Sequence, residues 1–229
     1  MRVLITIIIC LFTACIATAE KPTFDTQPPS RLPCGLTNVL FDWDFATGMN
    51  GFTNSICDDQ GVPVWEHGAT TYVTGAPGDV WGTVLEGDYP TDAGEALVSP
   101  SFTVNEETYL MEIFHYYDAE NLWDGGNVKV NGEVIEPLMG YPGLISVPDG
   151  WYAWCVDFQG GFTGLQSGWL TSCFNLSAFD GQTIQLSFEF GSDNTVTEAG
   201  WYIASVKVGN DGPVAMTDKT WSGAKSVYR

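Results

Sequence analysis

Apolar and polar residues alternate along much of this chain with a period of two. Thr183–Phe190 is a clear case: Ile184, Leu186, Phe188 and Phe190 fall on one side, and Thr183, Gln185, Ser187 and Glu189 on the other. That pattern predicts a half-buried strand with its odd-numbered members facing solvent. Val128–Ile135 reads as a hairpin, because Asn131-Gly132 supplies the two positive φ angles of a tight turn. Glu107–Tyr117 is longer and carries apolar side chains on both faces, so it is expected in the middle of a covered sheet. Val80–Leu85 and Ala96–Val104 are further strands bounded by Gly, Pro or Asp, and Thr37–Phe45 opens the block. Trp201–Val208 closes it, with Tyr202, Ala204, Val206 and Val208 expected on one face. No segment holds a helical period. The pattern predicts an all-β fold over 37–210, a two-sheet antiparallel β-sandwich of jelly-roll type.

The flanks differ. Residues 1–19 read as a secretory signal peptide, with Arg2, an apolar run from Val3 to Ile16, and Ala17-Thr18-Ala19 as an A-x-A cleavage site. That run is too short for an integral membrane span. Phe12-Thr-Ala-Cys15 is similar to a lipobox, so a lipoprotein anchored through Cys15 is the alternative to simple secretion. Residues 20–36 form a Pro-rich N-terminal segment, and 211–229 a C-terminal tail with Lys219, Lys225 and Arg229. The tail resembles short W-G-x-x-K-x-L-Y-R endings of secreted bacterial proteins, and a sorting or docking role is the corresponding expectation.

Charge sharpens the picture. The chain has 28 acidic and 8 basic residues; without Arg2 the remainder has 28 and 7, a net of −21. Such a charge repels nucleic acid and anionic membranes and attracts divalent cations. Of six cysteines, Cys10 and Cys15 lie in the leader, leaving Cys34, Cys57, Cys155 and Cys173. An even number in a secreted chain predicts two disulfides, and sequence proximity favours Cys34–Cys57 and Cys155–Cys173 among three pairings. No C-x-x-C spacing supports zinc.

Six pieces, in order, resemble a bacterial jelly-roll family related to MAM domains, found behind immune-inhibitor-type secreted metallopeptidases and in surface proteins. They are Phe41-Asp-Trp-Asp-Phe45 with Gly51-Phe52, Val80–Pro90 with Leu97–Pro100, Tyr117–Gly126, Asn175–Gln182, Ser192-Asp193, and Gly200-Trp-Tyr-Ile203. The resemblance implies a structural calcium ion held by acidic loops. Asp118, Glu120 and Asp124 lie within seven residues, ahead of Gly125-Gly126, which is expected to let the backbone turn tightly so that carbonyls point inward. Asp193 would complete the site from a second loop, since calcium takes six to eight oxygen ligands. The family's paired acids after G-W-Y-I are here Ala204 and Ser205, which puts one ligand in question.

Nothing marks an enzyme. His67 and His115 stand outside any H-E-x-x-H, no G-x-S-x-G occurs, and Glu112 to Glu120 lacks the compact spacing of sandwich-fold glucanases. A hydrolase is the weakest reading. Nine Trp and nine Tyr exceed what a core needs. Trp154 and Trp201 are expected in the core, and Trp123, Trp151 and Trp169 are candidate ligand-binding rings. The sequence therefore points to a secreted non-catalytic module recognising an extracellular glycan or protein. The alternative is a structural subunit of an extracellular assembly, formed by self-association.

Overall fold

The computed structural model describes residues 34–57, 59–146 and 153–212. The expected signal peptide, most of the Pro-rich segment, Trp151 and the tail beyond Gly212 lie outside the described residues. Among the described residues sixteen strands follow one another: β1 (Asn38–Asp44), β2 (Thr53–Ser55), β3 (Trp65–Gly68), β4 (Val80–Thr83), β5 (Gly94–Val98) and β6 (Phe102–Thr103). The long β7 (Leu110–Ala119) leads to β8 (Gly125–Val130), β9 (Glu133–Ile135), β10 (Gly143–Ile145), β11 (Gln159–Gly161) and β12 (Gly164–Leu165). The chain closes with β13 (Leu170–Asn175), β14 (Thr183–Ile184), β15 (Leu186–Gly191) and β16 (Gly200–Asn210).

The protein is an all-β sandwich of antiparallel sheets. Of the two main sheets, the first has seven strands in the order β12-β7-β16-β4-β3, with β1 also on β16 and β13 also on β7, and the second runs β2-β5-β15-β8-β9; β10-β11 and β14-β6 form two-stranded sheets. Trp43, Trp81 and Trp201 from the first pack with Leu97, Val128, Phe188 and Phe190 from the second in one core. β16 lies between β4 and β7, and β15 between β5 and β8. Each of the links β4→β5, β7→β8 and β15→β16 therefore crosses from one sheet to the other, the jelly-roll manner of winding.

Local chemistry explains most strands. Asn131 and Gly132 take φ of 54° and 81° in the β8–β9 turn, as their types favour. β7 alternates buried and half-buried residues; its inner members join the main core, while Phe114 and Tyr116 pack in a second cluster on the outer face. The strand expected over Val80–Leu85 stops at Thr83, because Val84 turns to a φ of 69°.

Three expectations are corrected. First, Tyr202, Ala204, Val206 and Val208 do not share a face. Ala204 is an extra residue between the pairs Ile203–His115 and Ser205–Phe114, a bulge that reverses the phase. Trp201, Ile203, Val206 and Val208 thus enter the main core, and Tyr202 and Ala204 the outer cluster. Second, Glu189 does not face solvent. The segment carrying Ala153–Val156 lies over this side of β15 and β8, and Glu189 pairs there with Lys129 at 2.7 Å, with Cys155 O accepting from the same ammonium at 2.7 Å. Third, the disulfides are Cys34–Cys173 and Cys57–Cys155, with Cα separations of 5.3 and 5.7 Å. Sequence proximity misleads because sheet order brings distant segments together: Cys173 is on β13, and Cys155 covers the five-stranded sheet.

Candidate functional site

The three crossovers β4→β5, β7→β8 and β15→β16 are tied to one another at one end of the sandwich. Tyr89 N–H donates to Glu198 O at 3.0 Å, and Asp92 N–H donates to Asp193 O at 2.7 Å. β7 ends at Ala119, and a turn from Glu120 to Asp124 closes with Asp124 N–H on Glu120 O at 3.0 Å. Gly125, at a φ of 153° that favours glycine, and Gly126 follow, and close approach is a further reason for both. A Cβ on Gly125 would lie 2.4 Å from Phe162 O, and one on Gly126 2.3 Å from the Trp201 ring.

This convergence brings together Glu120, Asp124 and Asp193. One carboxylate oxygen of each lies within 4.8 Å of the others. Asp124 and Asp193 are fully buried. Asp124 Oδ1 accepts from Asp193 N–H at 2.7 Å, and Oδ2 accepts from the Tyr89 hydroxyl at 2.8 Å. That hydroxyl also accepts from Glu120 N–H at 3.1 Å. Asp193 Oδ1 accepts from Thr195 N–H and Thr195 Oγ1–H, both at 2.8 Å, whereas Asp193 Oδ2 is buried with no hydrogen-bond partner.

A buried carboxylate oxygen without a donor is costly. Burial pushes the Asp124 carboxyl up to about 7, reinforced by the charges of Asp193 and Glu120 and opposed by the donors Asp193 N–H and Tyr89. Glu120 is raised by burial and by Asp193. Oxygens bound to one calcium at 2.3–2.6 Å stand at most about 5 Å apart, so the spacing of these three suits such an ion. Ala204 packs in the outer cluster, and Ser205 pairs with Phe114 within the seven-stranded sheet.

Asp118 is not part of this group. Residues two apart on a strand share a face, so Asp118 stands with Tyr116 on the outer side of β7, whereas Glu120 lies past the strand end. Trp123 packs on a small cluster of Ile145, Ala153 and Val156. Trp169 is half-buried against Phe114 and Tyr116, with its indole N–H on Thr74 O at 3.2 Å. Trp201 is in the core, and Trp154 is half-buried over Gly94.

His115 is fully buried; its Nδ1 accepts from Trp201 Nε1–H at 3.0 Å, so in the neutral ring Nε2–H donates to Ser172 Oγ at 2.9 Å. His67 Nε2 contacts Phe45 O at 3.0 Å. Nothing in the sequence marked Tyr89 as the bridge between Asp124 and Glu120, and Glu95 was missed as well. The buried Glu95 carboxylate accepts from Val64 N–H and Trp65 N–H at 2.8 and 2.7 Å. An acid inside an apolar run, as in Gly94-Glu-Ala-Leu-Val98, was the one available clue.

No family model matches the chain. It is 30% identical over 167 residues to Bacillopeptidase F of Bacillus subtilis (strain 168), covering 71% of this chain and 10% of that protein. It is 26% identical over 103 residues to the pre-pro-metalloprotease PrtV of Vibrio cholerae serotype O1 (strain M66-2), covering 45% of this chain and 10% of that protein. The chain thus spans about a tenth of the length of the curated relatives it matches. Among solved structures it is similar to the K1 cleaved adhesin domain of Lys-gingipain from Porphyromonas gingivalis W83, at 15% identity and a TM-score of 0.42, over 73% of this chain and 96% of that one. The K2 cleaved adhesin domain of Lys-gingipain matches at 11% identity and a TM-score of 0.44, over 73% and 96%. Among the described residues no helix is long and apolar enough to cross a membrane.

Proposed function

We propose that this chain is an extracellular, non-catalytic recognition module for a glycan or protein, its crossovers fixed by one structural calcium ion held by Glu120, Asp124 and Asp193. The observation that carries the calcium reading is the partnerless Asp193 Oδ2, buried beside two further carboxylates whose oxygens lie within 4.8 Å. A hard dication supplies positive charge where three carboxylates meet, with backbone carbonyls and water completing its shell. Two disulfides support an oxidising compartment. The matches to a small fraction of two peptidases support a module that accompanies chemistry done elsewhere.

Thermal unfolding in chelator and in calcium tests this. A specific site stabilises by about 2.7 kcal/mol when calcium exceeds its dissociation constant a hundredfold. For a chain of this size that is a rise of about 5–11 °C. Asp193→Ala should lose the rise. A wild type whose melting is indifferent to calcium overturns the metal reading.

A further inference from the structure

A second feature lies on the other side of the same crossovers. A cavity of about 530 Å³ opens on the outer face of the seven-stranded sheet, within the size range of small-ligand sites. Tyr116 and Asp118 of β7 form its floor. Tyr72 and Val73 border it on one side, with Asp88 from the β4–β5 crossover and Glu198 from the β15–β16 crossover. Leu165 of β12, 70% exposed, stands at its rim. The pocket therefore combines tyrosine rings, apolar wall and three carboxylates, and among the described residues no Lys or Arg lines it.

Asp88, Asp118 and Glu198 border the same cavity as Tyr72 and Tyr116. The Tyr116 pKa is raised by burial and by Asp118 and Glu198. The Tyr72 hydroxyl donates to Asp88 at 2.6 Å, which holds that ring at the mouth.

The spacing selects the ligand class. Asp88, Asp118 and Glu198 are not among the groups whose oxygens come within 4.8 Å of one another, so a bare metal ion is too small to join them. A neutral sugar would strip water from the carboxylates without neutralising them. A guanidinium is broad, planar and weakly hydrated; it donates to several carboxylates and stacks on aromatic rings.

We propose that this pocket receives an arginine side chain of an extracellular partner protein, its guanidinium held among Asp88, Asp118 and Glu198 and packed against Tyr72 and Tyr116. This rests on the recognition-module reading and not on its calcium site. It names the chemistry of the partner.

The test is calorimetric titration with the blocked peptide acetyl-Gly-Gly-Arg-Gly-Gly-amide and its citrulline counterpart, which has the same shape without the charge. The arginine peptide should bind, weaken as sodium chloride rises, and exceed the citrulline peptide by about tenfold or more. Asp118→Asn with Glu198→Gln should lower affinity by a similar factor. Asp180→Asn, which removes a charge outside this pocket, should leave it unchanged. Tyr72→Ala keeps all three acids and should weaken binding several-fold, which guards against misfolding of the double variant. Equal affinity for the two peptides, or equal losses in the pocket variants and Asp180→Asn, overturns the proposal. A glycan array separates the two readings: glycan binding that survives Asp118→Asn with Glu198→Gln, without arginine-peptide binding, keeps the recognition module and sinks the pocket. Titrations in calcium and in chelator report on the metal site separately.

Discussion

Replacing Asp124 with Asn should abolish a pH dependence that the metal-free protein carries. The Asp124 carboxyl stands at about 7 in the folded chain against 3.8 for an unperturbed aspartate. A raised folded value means that the native state holds this proton more tightly than the unfolded chain. Its contribution is therefore fully present below the unfolded value and is lost as pH rises toward 7. Between pH 5 and pH 8 that loss is about 2.5 kcal/mol.

Asn keeps an acceptor for Asp193 N–H but turns an amide toward the Tyr89 hydroxyl, which then has to accept from it while losing its own acceptor. That costs about 1 kcal/mol and does not vary with pH. Urea unfolding of wild type and Asp124→Asn in chelator, at half-unit steps from pH 5 to pH 8, separates the two effects. The stability difference between the proteins should move by about 2.5 kcal/mol across the range in favour of the variant. In saturating calcium the wild type should lose this decline, because the ion replaces the proton as the counter-charge. Parallel curves for the two proteins in chelator would refute the reasoning.

Two further outcomes follow from buried polar groups. Glu95→Ala removes the acceptor of Val64 N–H and Trp65 N–H and should cost about 2–4 kcal/mol in urea unfolding, with Glu95→Gln recovering most of it through its remaining carbonyl oxygen. Lys129→Met leaves Glu189 buried beside Cys155 without its ion-pair partner and should cost about 3–5 kcal/mol. The double variant Lys129→Met with Glu189→Leu should cost less than either single change, a non-additivity that a double-mutant cycle measures.

Where the sequence read correctly, the cause was local. The alternation over Thr183–Phe190 placed Ile184, Leu186, Phe188 and Phe190 inside because side chains on a strand point to opposite faces in turn. The Asn131-Gly132 turn was readable because few residue types accept its backbone angles. Alternation failed where a bulge within the strand broke its phase or a segment outside it covered one face. The bulge at Ala204 moved Val206 and Val208 to the opposite face from Tyr202. The segment over β15 turned the solvent side of Glu189 into an interior. The acidic run from Asp118 to Asp124 suggested one site, but the strand end at Ala119 divides it: Asp118 faces the aromatic pocket, and Glu120 and Asp124 face the buried carboxylate group. The spacing of two between Asp118 and Glu120 says nothing about where the strand stops.

The sequence alone determined an antiparallel sandwich with acidic connections, since a repeat of two and turn-forming residues act over a few positions. Tertiary structure alone decided that Asp193 meets Asp124 across 69 residues. It also decided that Cys34 bonds Cys173 rather than Cys57, and that Asp88, Asp118 and Glu198 border one cavity. These pairings depend on which strands lie side by side and which crossovers share an end. Burial of the whole core fixes that order, and no short stretch of chain encodes it.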